Sequence, residues 1–152
     1  MIAALAVVLA TVAAVAACVL FQYEVLVLLW RWISAHRGHR RVKVLYAIAS
    51  VIALHVAEIW IFGLVLWGLL HWPEAGSLQG PLDATLLECV YFSAITFSTV
   101  GFGDVAPLGA IRFLAGTEAL TGFVLITWSA SFTYLEMERF WRADAMTRRK
   151  DS

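Results

Sequence analysis

Charge is scarce in this chain. Asp, Glu, Lys and Arg make up 14% of its 152 residues, where soluble domains carry about 25%. The two signs cancel, with 11 basic and 11 acidic residues, so no polyanion such as nucleic acid is expected as a partner. Cysteine is nearly missing as well. Cys18 and Cys89 stand apart in apolar surroundings, which excludes a disulfide framework or a cysteine metal cage and leaves both as small buried hydrophobes. Basic residues are absent before Arg31 and again from His71 to Asp104. No internal repeat, low-complexity tract or long linker sets off a second soluble domain. No span carries arginines at every third position, so a voltage-sensor helix is excluded.

Apolar residues fill the space that charge leaves. They make up 62% of the chain, against about 45–50% in soluble domains, and mean hydropathy is +0.82. That surplus exceeds what a core of this size buries, so lipid must cover much of the side-chain surface and the bilayer is the first expected partner. Three stretches are long enough to cross it: residues 1–33, 44–70 and 109–136. A shorter apolar stretch, 85–97, reads as a re-entrant helix, with Asp83 or Thr85 as its cap. Residues 71–84, rich in Gly and Pro, read as a loop. The first stretch has a competing reading as a secretory signal, since Val15-Ala16-Ala17-Cys18 imitates a lipoprotein cleavage box. The missing basic n-region and an apolar run that continues to Trp30 favour a retained helix.

Basic residues cluster in two places, at 34–43 with Arg31 just before, and in the tail at 137–152. By the positive-inside rule both are cytoplasmic, which gives an N-out, C-in topology and places the 71–84 loop outside. The tail reads as a short amphipathic extension, with Phe140 and Trp141 at the interface and Arg148, Arg149 and Lys150 near lipid phosphates. It is too short for a soluble ligand-binding domain.

Between the short helix and the third span lies Thr96-Phe97-Ser98-Thr99-Val100-Gly101-Phe102-Gly103-Asp104. This segment resembles the signature of the pore-loop potassium channels, Thr-x-Gly-Tyr/Phe-Gly-Asp with a further threonine three residues before it. Thr96, Thr99, Gly101, Phe102, Gly103 and Asp104 match, and the likeness runs from about residue 44 to 135. The first helix is similar to an addition seen in small bacterial relatives, which implies a bacterial inner membrane. The resemblance implies an all-α membrane fold: three transmembrane helices, a re-entrant pore helix at 85–97 and a filter loop at 98–104. Because one loop cannot surround an ion, it also implies a fourfold homotetramer.

The implied function is passive, potassium-selective conduction, with K+ in the filter, no organic cofactor and no covalent chemistry. Main-chain carbonyls of Thr99, Val100, Gly101 and Phe102 would replace the ion's water, with Gly101 and Gly103 supplying the positive φ that alternating carbonyls require. Val100 and Phe102 would wedge the filter from outside, and Thr96, Ser98, Asp104, Tyr91 and Phe92 would support it. The segment from Gly101 to Ala106 also satisfies the dinucleotide fingerprint G-x-G-x-x-A, but that reading needs a preceding strand and a βαβ unit. A tight glycine turn between two membrane segments is the plain structural alternative.

The chain departs from the family where other members place a glutamate and paired tryptophans. Ile95, Tyr91 and Phe92 stand there, and Phe102 replaces the commoner tyrosine. The hydrogen-bond cuff around the filter is therefore expected to be thin, with a Tyr91–Asp104 bond in partial compensation. Four ionisable groups, Glu24, His55, Glu58 and Glu118, lie at membrane depth and are expected to face protein or water with partners. His55 and Glu58 share a helix face and read as a hydrogen-bonded pair reaching toward Glu118, with weak metal binding as the rival. Glu118 is also a candidate for facing an ion through the filter wall and for making conduction pH-sensitive. Gly122 is either a hinge or a close-packing point. Thr127, Ser131 and Leu135 share one helix face, expected to line a cavity, unless the hydroxyls only bond their own backbone. A poorly selective cation channel and a non-conducting subunit serving a partner protein are the alternatives. No nucleophile context supports an enzyme.

Overall fold

The structure is a computed structural model that describes residues 2–35, 40–80 and 85–150. Part of the basic loop at 36–39, the cap candidate Asp83, and the side chains of Phe140, Arg148, Arg149 and Lys150 lie outside that description. Four helices carry the fold: α1 (Ile2–Ala35), α2 (Arg40–Leu70), α3 (Leu86–Phe97) and α4 (Ile111–Lys150). Three of them are long and apolar enough to cross a membrane, over Ile2–Ala35, Val42–Leu70 and Ile111–Arg139. The short α3 lies among them and packs on both α2 and α4.

Two boundaries differ from the reading of the sequence. Helix α2 begins at Arg40, inside the expected loop. Helix α4 continues through the expected tail to Lys150 as one uninterrupted element. Its polar stretch keeps helical order through ion pairs at helix spacing, Glu136–Arg139 at 2.9 Å and Glu138–Arg142 at 2.7 Å. The loop before α3 also contains more than loop. Strands β1 (Ser77–Gln79) and β2 (Ala106–Leu108) pair antiparallel, Leu78 opposite Pro107, and clip the segment before α3 to the segment after the glycines at 101 and 103.

Helix α1 buries a single stripe: Ala3, Val7, Thr11, Ala14, Cys18, Gln22, Leu26, Leu29 and Ile33. These recur every three or four residues, the spacing of one helix face. The opposite face, including Leu5, Leu9, Leu20 and Leu28, is exposed and apolar, as lipid requires. Gln22 is the polar fastener in that stripe. Its Nε2 donates to the Leu125 carbonyl at 2.8 Å and to Ser129 Oγ at 3.2 Å, both on α4. At its far end, Lys43 Nζ of α2 donates to the Ile33 carbonyl at 2.8 Å and satisfies one of the free acceptors that every helix C-terminus leaves.

Helices in lipid gain little from hydrophobic association, so close backbone approach and polar links must hold them together. Both occur around α3. Gly63 of α2 lies against Val90, where an added Cβ would come within 2.9 Å of the Val90 Cα. Gly122 of α4 faces the Phe97 carbonyl, and a Cβ there would stand 2.0 Å from its oxygen. Helix α4 runs unbroken through Gly122, where the missing side chain permits this close packing. The Phe97 ring is buried between His55 and Phe62, with centroids 6.0 and 6.3 Å away.

Gly122→Ala forces α4 away from α3 and is expected to destabilise by about 1–3 kcal/mol, the usual cost of overpacking. Gly68→Ala, on an open face with nothing within 4 Å, is expected to be tolerated. Unfolding temperatures in detergent separate the two. Equal values would show that the contact at Gly122 is not tight.

Candidate functional site

Helix α3 starts with a reciprocal cap. Thr85 Oγ1 accepts from the Glu88 backbone N–H at 3.4 Å, and Glu88 Oε2 accepts from the Thr85 N–H at 2.9 Å. Of the two expected caps, Thr85 is the one seen. The other end of α3 is closed by its own continuation. Ser98 N–H and Ser98 Oγ both donate to the Ala94 carbonyl, at 3.1 and 2.6 Å. Thr99 N–H donates to Thr96 at 3.0 Å, and Gly101 N–H reaches back to Ile95 at 2.9 Å. A helix end thus folds directly into the glycine segment. What precedes Gly101 is helix, not the strand that a dinucleotide fingerprint needs.

Within that segment every second residue has positive φ: Thr99 at 59°, Gly101 at 52° and Gly103 at 81°. Left-handed geometry was expected at the two glycines. At Thr99 it is a finding, because a β-branched residue adopts it at a cost of about 1–2 kcal/mol. Alternation of this kind lets successive carbonyls face one way along an extended chain.

Support from the same chain is sparse. Tyr91 Oη donates to Asp104 Oδ2 at 2.7 Å, the expected bond. It raises the Tyr91 phenol above its ordinary pKa, so the contact holds at neutral pH and is lost only as strong alkali removes the phenolic proton. Phe92 and Ile95 are buried in the chain's own core. Val100 and Phe102, expected to wedge the segment in place, remain 55% and 71% exposed, so no wall of the same chain receives them.

Thr127, Ser131 and Leu135 form an exposed stripe on α4. Their hydroxyl protons are taken by the same helix: Thr127 donates to Phe123 at 2.7 Å and Ser131 to Thr127 at 3.0 Å. Only hydroxyl lone pairs are left facing outward.

The ionisable groups at membrane depth divide in two. Glu24 is turned out of the bundle on an exposed face, in a groove that it lines together with Arg31. His55, Glu58 and Glu118 point inward. His55 Nδ1 and Glu58 Oε2 are 2.7 Å apart. Glu118 does not join that pair. It bonds Ser93 of α3 instead, and Ser93 Oγ in turn donates to the Ile59 carbonyl of α2 at 2.9 Å. Cys18 of α1 lies within electrostatic range of both Glu58 and Glu118, so all four helices meet at this level. Among the described residues, no three His, Cys, Asp or Glu side chains converge as a metal site. Gln22, Ser93 and the glycine at 63 escaped the reading of the sequence. Isolated polar residues in apolar runs were the available signal for the first two.

Three crossing helices, a re-entrant helix clasped between two of them and a glycine segment of alternating handedness define a pore-loop membrane protein. Residues 44–138 match the sequence model of the ion-channel family, and the chain belongs to that family. It is similar to Protein LctB of Geobacillus stearothermophilus, at 33% identity over 67 residues, which covers 44% of this chain and 50% of that one. It is also similar to Protein LctB of Bacillus caldotenax, at 42% identity over 53 residues, 35% of this chain and 40% of that one. The chain spans about half the length of these curated relatives or less. No solved structure matches it. With three helices long and apolar enough to span a bilayer, it is an integral membrane chain of that family.

Tyr91→Phe keeps the ring and removes its one hydrogen bond to Asp104. Currents through this variant are expected to decline faster under sustained driving force than wild-type currents, at unchanged expression. Indistinguishable time courses would show that the bond carries no load.

Proposed function

We propose that four copies assemble about an axis with residues 98–104 facing it, and that the chain conducts K+ selectively and passively. Carbonyls of Thr99, Val100, Gly101 and Phe102 take the place of the ion's hydration shell, with Gly103 completing the turn to Asp104. The observation that carries this reading is the φ alternation at Thr99, Gly101 and Gly103 directly after a helix whose C-terminal, partially negative end favours a cation. Assembly is supported by the exposure of Val100 and Phe102, large apolar side chains that require walls from other copies. In this arrangement α4 lines the pore, α2 lies outside it, and the lone pairs of Thr127 and Ser131 face the cavity above Leu135. Thr96 and Ser98, through the bonds that end α3, set where the filter begins. The basic flanks support an N-out, C-in orientation in a bacterial inner membrane.

The test is recording from purified protein in planar bilayers with potassium on one side and sodium on the other. A reversal potential close to the potassium equilibrium value and block by barium are expected. Gly101→Ala and Gly103→Ala are expected to abolish selectivity, because each places a side chain at positive φ. A reversal potential near zero would make the protein a poorly selective cation channel, a reading that the thin support around Phe102 favours. Absence of current in every condition would make it a non-conducting subunit.

A further inference from the structure

Helix α1 carries charge on the face that it turns away from its own chain. Gln22 points to α4, and Glu24, just over half a helical turn on, lies on the opposite, exposed side. Among the described residues no ion pair reaches its carboxyl group. Arg31 shares that face, seven residues and about 10 Å further along the helix. An ionisable group turned toward lipid is expensive, so this face calls for a cover that supplies polar partners.

A matching surface lies elsewhere on the bundle. Helices α2 and α4 leave between them a groove of about 440 Å³, lined by Ile52 and His55 from α2 and by Ile126, Ala130 and Tyr134 from α4. Two of these side chains offer a polar group to an occupant. His55 Nδ1 is held by Glu58, which leaves Nε2 as the ring's remaining hydrogen-bonding atom. Tyr134 is exposed, with a hydroxyl and a ring face that can both receive a guanidinium.

We propose that this groove receives the α1 helix of a neighbouring copy of the chain, whose Glu24 hydrogen-bonds His55 Nε2 and whose Arg31 meets Tyr134.

Side and level both favour the fit. In the assembly proposed above, the stripe of Thr127, Ser131 and Leu135 on α4 faces the axis. On one flank of that stripe α4 carries its own α1, at Leu125 and Phe132, and on the other flank it forms the groove, at Ile126, Ala130 and Tyr134. A quarter turn about the axis brings the α1 flank of one copy to the groove flank of the next. Rotation also preserves height, so levels within one chain hold between copies. Trp32 stacks on Tyr46 and Lys43 reaches the Ile33 carbonyl, which places His55 level with Gln22, two residues from Glu24. Phe132 packs with Leu29 and Ile33, which places Tyr134 within a turn of the level of Arg31. Both polar contacts are therefore within side-chain reach at once. An imidazole nitrogen and a carboxyl group hold a proton between them whichever of the two owns it, so the contact needs no particular ionisation. This inference rests on the fourfold assembly and not on which cation permeates.

Disulfide trapping of the full chain in membranes tests it. Leu28→Cys, on the exposed face of α1, and Ala130→Cys, in the groove, are combined in one chain. The two positions face away from each other within a copy, and the native Cys18 and Cys89 are buried. Oxidation is expected to link copies into a ladder of two, three and four chains that stops at four, because a head-to-tail contact repeated about a fourfold axis closes on itself. Either single variant is expected to give no more than pairs. A tetrameric native mass without a ladder beyond that of the single variants would overturn the docking and leave the assembly standing, with lipid or another membrane protein against α1. A native mass below four copies defeats both.

The polar contact has its own test. Glu24→Ala and His55→Ala are each expected to reduce the tetramer that survives mild denaturant about tenfold, and the double variant to lose no more than the weaker of the two, as for residues that act on one contact. Losses that add would overturn the pairing of Glu24 with His55. If His55→Ala does not assemble, Glu24→Ala decides through the ladder, which is expected to form about tenfold more slowly, and an unchanged rate overturns the pairing.

Discussion

The clasp on α3 is the constraint from which the rest of the fold follows. A twelve-residue helix cannot cross a bilayer, and at membrane depth its ends and any loop attached to it must be satisfied by protein. Helices α2 and α4 supply that shelter at near-contact distance. On α4 the grip repeats with helix spacing, since Glu118 meets Ser93 and Gly122, four residues on, meets Phe97, four residues on from Ser93. Helix α2 answers from the other side with Gly63 at Val90 and the Ile59 carbonyl at Ser93. Ser93 is therefore the point at which three helices share one hydroxyl.

Such a clasp explains why polar residues are tolerated in so apolar a chain. Two buried polar side chains connect elements that lipid alone would not hold together: Gln22 joins α1 to α4, and Ser93 joins α3 to α2 and α4. Measured bonds of this kind in membranes average about 0.6 kcal/mol and reach about 2, so geometry is the larger part of their contribution. They fix the rotation of each helix about its own axis. The first helix, which lies outside the matched family segment, is oriented in the same way, with a single stripe inward and Gln22 hydrogen-bonded to α4.

Where chemistry depends on neighbours in sequence, the reading from residues went far. The three long apolar runs became the three long helices. The capping pair Thr85 and Glu88 is three residues apart, the two glycines at 101 and 103 carry positive φ, and Tyr91 finds Asp104 thirteen residues away. His55 and Glu58 pair as their spacing on one helix face requires. The unexpected features are all matters of partner or context. Strand β2 pairs across some thirty residues with β1. Thr99 adopts a conformation that its own type disfavours, because the Gly101 N–H is tied back to Ile95 and leaves the chain little other path. Glu118 turned from the expected His55–Glu58 pair to Ser93, an unremarked serine in an apolar helix.

Composition and periodicity alone determined that this chain enters a membrane, how many times it crosses, and that a glycine segment interrupts it between a short helix and a long one. Those properties depend on hydrophobic length and on local backbone preferences, which each stretch of chain carries within itself. Only the tertiary structure decided which face of each helix turns inward, that Gly122 lies against the Phe97 carbonyl, and that a glutamate and a backbone carbonyl from two helices meet a serine of a third. Helix rotation and close approach depend on the fit between surfaces distant in the chain, and a serine or glycine looks the same in sequence whether or not another backbone rests against it.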